Sequence, residues 1–236
     1  MAAFAAALIG LSKAGLPGVG TLAIPLFASI IPARASTGFI LPMLIVGDII
    51  GVFAYHRHAD WRRLTTLLPW AVAGIVAGWL LLGRLDDAQI RPLIGGIVLV
   101  LLLLNAWRIR RPDLSEGIPH SRGVAAVIGV LAGITTMIAN AAGPILFLYL
   151  LAMNLPKNVF IGTSAWYFFV LNVIKVPFSA SLGLISSESL RFNLCLIPAI
   201  AVGAWTGIRF AKRIPEKAFT VIVQVLTAIA AVKLLF

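Results

Sequence analysis

A chain of 236 residues in which 61% are hydrophobic and only 11% charged cannot present a polar surface on every side. Its mean hydropathy of +1.03 makes lipid its main solvent and excludes a soluble globular domain. The formal net charge of +11 would point to nucleic acid in a soluble protein, but most Lys and Arg here fall in short segments between apolar stretches. That pattern orients a membrane protein and meets anionic lipid, so membrane lipid is an expected partner and nucleic acid is not.

Eight apolar segments follow one another, at 3–31, 33–54, 64–82, 90–107, 123–155, 159–180, 192–210 and 218–236. A helix of about 20 residues crosses about 30 Å of hydrocarbon, and the weak alternation of an outer-membrane barrel is absent, so helices are the spanning solution. The first segment is interrupted by Gly10-Leu11-Ser12-Lys13-Ala14-Gly15-Leu16-Pro17-Gly18-Val19-Gly20 and continues through Ile24-Pro25-Leu26. Ala33-Arg34-Ala35 has the form of a signal-peptidase site, but the apolar stretch before it is too long and lacks a basic start, so it is read as uncleaved. The polar stretch 108–122, carrying Pro112, Asp113, Glu116, Pro119 and His120, links a first repeat at 1–107 to a second at 123–236 and is expected to be cytoplasmic. The fifth segment is interrupted like the first: Gly129 to Gly133, Thr135-Thr136, Asn140, then Gly143-Pro144-Ile145. Cys195, the single cysteine, lies in an apolar span, where it can form neither an intrachain disulfide nor a cysteine-based metal site.

The two halves superimpose with small gaps. Pro25 matches Pro144, Pro32 matches Pro156, Asp48 matches Asn172, Pro69 matches Pro198, the Gly74/Gly78 spacing recurs as Gly203/Gly207, and Arg84 recurs as Arg213. Agreement in this order argues for duplication. If all eight segments crossed, the loop cations would divide almost evenly between the two sides. If the two broken segments are re-entrant, the second repeat is inverted and one side collects 12 cations: Arg57, Arg62, Arg63, Arg108, Arg110, Arg111, Arg122, Lys157, Arg209, Lys212, Arg213 and Lys217. The other side keeps 5, Arg34, Arg84, Arg91, Arg191 and Lys233, with Lys13 and Lys175 inside the membrane. Basic loops stay cytoplasmic, so the expected fold is an all-α membrane protein of two inverted four-segment repeats, each opening with a broken or re-entrant helix.

In such a pair the second half-helices start near Gly18 to Thr21 and near Asn140 to Gly143 and point their N-termini at one another. Each N-terminus carries unpaired N–H groups and about half a positive charge, so the two make a cradle for an anion. Gly15, Gly18 and Gly20 permit close backbone approach, while Thr21, Thr135, Thr136, Asn140, Ala141 and Gly143 complete the candidate lining with donors that carry no fixed charge. The alternative for any of these glycines is helix packing. Lys13 needs a partner inside the membrane: an anionic substrate, a carboxylate or helix-end carbonyls. Asp48, the only acid inside a span, is either a proton-coupling group, the partner of Lys13 or Lys175, or bonded to broken-helix backbone; its counterpart Asn172 is neutral, and Lys175 shares the Asn172 face, so that both join the candidate substrate-binding residues. Trp166, Tyr167, Phe168 and Phe169 read as packing or an interfacial belt, with a pore lining second. His56 and His58 lack a third ligand and no phosphate loop occurs, so no metal and no cofactor is expected.

At these motifs the chain resembles the sulfite exporter TauE/SafE family of membrane permeases. The resemblance is carried by Gly10 to Gly15, Gly18-x-Gly20, Pro25-Leu26, the loop Tyr55-His56-Arg57-His58-Ala59-Asp60-Trp61-Arg62 and the run from Gly74-x3-Gly78 to Arg84. It implies secondary transport of small sulfur-containing anions, such as sulfite, sulfonates or sulfoacetate, across the bacterial inner membrane by a multi-pass protein. Ala14, Pro17, Thr135-Thr136 and Asn140-Ala141-Ala142 depart from the glycine-rich signature and suit a larger or differently hydrogen-bonding organic anion. The function expected is therefore a non-enzymatic anion transporter working by alternating access. A passive channel is the first alternative and an intramembrane enzyme the second, the latter disfavoured because the spans hold no histidine and one carboxylate. A monomer and a homo-oligomer both remain open.

Overall fold

The computed structural model describes residues 1–28, 31, 33–84, 89 and 122–233. The expected span at 90–107 and the linker up to residue 121 lie outside the described residues, as do the side chains of Thr21 and Pro25. Secondary structure among the described residues is entirely helical: α1 (Ala2–Ala14), a 3-10 turn (Val19–Leu22), α2 (Ala23–Ala28), α3 (Ala33–Tyr55), a second 3-10 turn (His56–His58), α4 (Trp61–Arg84), α5 (Arg122–Ala139), α6 (Gly143–Ala152), α7 (Lys157–Ser181), α8 (Ser187–Arg213) and α9 (Glu216–Lys233). Five of them, α3, α4, α5, α7 and α8, are long and apolar enough to cross a membrane. Arg122, expected in the linker, opens α5.

Both breaks are present, and each has a local cause. Proline at position 17 has no N–H to continue α1, and Gly18 takes φ +102°, a backbone conformation that favours glycine. In the second break Asn140 takes φ +54°, a conformation asparagine tolerates, and its N–H still reaches the Thr136 carbonyl at 3.0 Å. Pro144 then sits in the first turn of α6, where its missing N–H costs nothing. The expected half-helix at Gly18 to Thr21 is corrected in one respect. Those residues enter a 3-10 turn, and the α-helix that follows is the six-residue α2.

Lipid is as apolar as leucine, so these helices gain little by hiding large side chains and associate through small ones instead. Along α4 the buried positions are Leu64, Leu67, Ala71, Gly74, Ile75, Gly78 and Leu82, a stripe at helical spacing. Trp70, Leu80 and Leu81 point outward. The stripe packs on α5: a methyl added at Gly74 would strike the Val130 carbonyl, and one at Gly133 the Ala71 carbonyl. A second seam joins α1 to α8, where Gly10 meets the Ile200 carbonyl, Gly203 meets Ala7, and Gly207 meets Leu11 and Gly15. The partnering is reciprocal. The first helix of each half lies along the third-segment helix of the other half.

Chain directions follow from the same contacts. In both seams residue numbers rise together, with Gly129 near Leu67 and Gly78 near Met137, and with Ala7 near Gly203 and Leu11 near Gly207, so each pair is parallel. The central pair α3 and α7 is antiparallel: Gly38 abuts Leu184, Asp48 bonds Asn172, and Gly162 abuts the Tyr55 carbonyl. The start of α7 also meets the junction of α8 and α9, because the Lys157 ammonium donates to the Ile214 carbonyl at 2.6 Å. One end of the bundle thus gathers the 56–63 loop, the starts of α5 and α7 and the end of α8, with Arg57, Arg62, Arg63, Arg122, Lys157, Lys212, Arg213 and Lys217. Arg84 and Arg191 lie at the opposite end, near Leu182 and Phe39 respectively.

Candidate functional site

The two breaks meet in one cavity. It holds about 730 Å3 of empty space, counting its open mouth, and is lined from the first break by Pro17, Gly18 and Gly20 and from the second by Thr136, Asn140 and Gly143. Helix α1 adds Ile9, Ser12 and Lys13, α3 adds Ile40 and Leu44, and α7 adds Ile161, Ser164, Ala165, Phe168 and Asn172. The α7 residues recur every three or four positions, and that periodicity is what brings them to a common wall.

Behind this wall runs a continuous polar chain. The Lys13 ammonium stands 2.8 Å from Asp48 Oδ1 and 4.2 Å above the centre of the Phe168 ring. Asp48 Oδ2 accepts from Asn172 Nδ2 at 2.6 Å. Lys175 donates to Asn172 Oδ1 at 3.4 Å, to Thr136 Oγ1 at 3.3 Å and to Asn140 Oδ1, whose own Nδ2 donates to the Thr37 carbonyl at 2.9 Å. Asp48 is 0% exposed, Asn172 and Lys175 1%, and the Lys13 side chain 12%. A charge at such depth is tolerated only when paired or solvated by dipoles, and here every ionised group has such partners. The chain ties α1 to α3, α3 to α7, and α7 to both α5 and the second break.

The sequence-derived candidates separate into three sets. Lys13, Gly18, Gly20, Thr136, Asn140, Gly143 and Asn172 line the cavity. Asp48 and Lys175 stand one layer behind it, touching the lining through Lys13, Asn172, Asn140 and Thr136. Gly15, Thr135 and Ala141 do not line it. Gly15 is pressed on the backbone of Gly207 in the α1–α8 seam, and Thr135 turns its hydroxyl onto the Leu131 carbonyl at 2.8 Å. Ala141 is buried beside the break. The backbone of Thr21 lies in the 3-10 turn.

Ser12 and Ser164 were missed as lining residues and Phe168 was given a pore lining only as its second reading, although Ser164, Phe168 and Asn172 stand at i, i+4 and i+8 on one helical face. The aromatic cluster splits accordingly: Trp166 packs on Trp61 with ring centres 4.9 Å apart, Tyr167 is wholly buried, and Phe168 faces the cavity. No group of three or more His, Cys, Asp or Glu side chains converges among the described residues. His56 bonds the Phe53 carbonyl at 3.0 Å instead.

Five helices long and apolar enough to cross a membrane, with two interrupted helices meeting at one cavity, define the chain as a multi-pass membrane protein. The model of the sulfite exporter TauE/SafE family matches residues 2–234, and the chain belongs to that family of membrane transporters. Among curated proteins it is similar to a probable membrane transporter protein, MamO, of Magnetospirillum gryphiswaldense, with 24% identity, 75% of this chain and 34% of that protein being covered. The chain thus spans about a third of that relative's length. No solved structure matches it.

Proposed function

We propose that the chain carries small anions, sulfur-containing ones such as sulfite or a sulfonate first among them, across the bacterial inner membrane, and that the anion sits in the cavity between the two breaks. The observation that carries this reading is the convergence of both breaks, with the Lys13 ammonium on the wall, in a single cavity. Helix α6 opens its N-terminus there at Gly143, and its N-cap Ala142 has no side chain to satisfy the first N–H groups. Those groups and the helix dipole favour an anion. On the other side the Gly18 and Gly20 backbone supplies the approach; since α2 has six residues after a 3-10 turn, the dipole there is smaller than two matched half-helices would give.

Inverted repeats are the arrangement that supports alternating access in this reading. The antiparallel run of the equivalent helices α3 and α7 favours inversion, as does the reciprocal packing of α1 on α8 and of α5 on α4. Helix α1 runs parallel to α8 towards the basic end, yet α3 starts at the opposite end; α5 runs the other way, yet α7 starts at the basic end. Each break therefore suits a re-entrant hairpin, and the cation-rich end suits the cytoplasm. In this reading Asp48 is the counter-charge of Lys13 and not a proton carrier.

Radiolabelled uptake into proteoliposomes, competed by sulfite, sulfate, taurine, sulfoacetate and small carboxylates, tests the reading. Saturable uptake with counterflow, weakened in Lys13→Ala, is the expected result. Ohmic anion current without counterflow would make the protein a channel, and turnover of a lipid or peptide without solute movement would make it an enzyme.

A further inference from the structure

Resting on the reading that the cavity takes an anion, we propose that Asp48 sets the charge of that anion, so that monoanions are accepted and dianions of the same size are refused. The argument begins with the protonation of the network. The side-chain amides of Asn140 and Asn172 are both oriented by what their nitrogens do: Asn140 Nδ2 donates to the Thr37 carbonyl and Asn172 Nδ2 donates to Asp48. Their oxygens therefore face Lys175, and with Thr136 Oγ1 they make three oxygen partners for its amine. Both amides thus turn the negative ends of their dipoles on this amine, and hydrogen bonds of that kind stabilise its ammonium form. None of the three is a carboxylate. The single buried carboxylate among the described residues, Asp48, is in contact with Lys13 at 2.8 Å and with the amide of Asn172.

Two ammonium groups and one carboxylate leave a surplus of one positive charge in the described network. In a low-dielectric site a bound monoanion cancels that surplus, while a dianion replaces it with an uncancelled negative charge of equal cost. Asp48 does not line the cavity, but both of its partners, Lys13 and Asn172, do. It is thus a specificity-determining residue that acts through them and by its charge. Asn172 occupies the equivalent position in the second half, so the selectivity depends on the place where the repeats differ in charge.

Methanesulfonate and sulfate are tetrahedral anions of nearly the same size that carry one and two charges, and they are the probes of choice. Uptake into proteoliposomes of the intact protein is expected to favour methanesulfonate over sulfate by about tenfold or more, a discrimination equivalent to about 1.4 kcal/mol. Asp48→Asn raises the surplus to two and should shrink or reverse that ratio, Lys175→Gln lowers it to zero and should depress methanesulfonate uptake, and Asp48→Asn combined with Lys175→Gln restores the surplus and with it the wild-type ratio. A purely structural role for Asp48 would not give recovery of the ratio in the double variant. Equal uptake of the two anions by the wild type, or an unchanged ratio in folded Asp48→Asn, overturns the inference while leaving anion transport standing. Should Asp48→Asn fail to fold, the wild-type ratio and the loss in Lys175→Gln still decide. Failure of the wild type to take up any anion of the wider panel removes the transport reading, and this inference with it.

Discussion

The two glycine seams and the polar centre answer to opposite rules. In the seams the halves behave alike: Gly74 and Gly78 on α4, and Gly203 and Gly207 on α8, each let a partner helix approach to backbone contact. At the centre, where α3 crosses α7, the halves differ: one contributes Asp48 and the other Asn172 and Lys175, while the Lys13 ammonium comes from α1 alone. Packing in lipid asks only for small residues at matching places, so it tolerates symmetry. A buried charge must be paired or solvated by dipoles individually: Lys13 has the Asp48 carboxylate, and Lys175 has the amide and hydroxyl oxygens of Asn140, Asn172 and Thr136.

This contrast can be broken most severely at the centre. Asp48→Ala strands Lys13 without a carboxylate, and removal of one partner of a buried pair costs about 3–5 kcal/mol. Asn172→Ala removes hydrogen bonds only, worth about 1–3 kcal/mol as an unmet buried group. Thermal unfolding of the purified protein in detergent, followed by size-exclusion chromatography, should therefore rank Asp48→Ala well below Asn172→Ala, although the positions are equivalent by sequence. Equal losses would mean that the Lys13–Asp48 contact contributes no charge pairing.

The seams should respond in the contrary manner. Gly74→Leu and Gly203→Leu each push a side chain into a facing carbonyl, and overpacking of this kind costs about 1–3 kcal/mol or more. Both variants should fall by similar amounts in the same assay; a loss confined to one would show that the seams are not equivalent supports. The smallest effect is expected at Phe168, whose ring lies under Lys13. Phe168→Leu keeps an apolar side chain but removes the cation–π contact, worth about 0.5–2 kcal/mol, and should weaken anion competition by several-fold without loss of folded protein.

Much of this architecture could be read from the chain before any coordinates. Clusters of glycine and proline inside apolar segments mark the neighbourhood of both interruptions: the first turns at Pro17-Gly18 and the second at Asn140, just before Gly143-Pro144, whereas the isolated Pro42, Pro69, Pro177 and Pro198 lie inside continuous helices. The sequence alone matched Asp48 with Asn172; what the structure adds is a hydrogen bond between the two side chains. Helix neighbours were not legible. A membrane helix is apolar on every face, so periodicity does not say which stripe meets which partner, and the joining of α1 to α8 depends on contacts between residues nearly 200 positions apart. Gly15 shows the same ambiguity in miniature: a glycine that admits an anion and a glycine that admits a helix look identical, and this one admits Gly207. The partner of Lys13 was undetermined for a related reason, since a carboxylate 35 positions away and a diffusible anion satisfy an ammonium equally well on paper.

Crystals of the protein grown with bromomethanesulfonate, recorded at the bromine absorption edge, test the central claim most directly. The account predicts one anomalous peak inside the cavity, with the sulfonate oxygens within hydrogen-bond reach of the Lys13 ammonium and of the backbone at Gly143. A peak confined to the arginine- and lysine-rich end of the bundle, with the cavity between the breaks left empty, would contradict it.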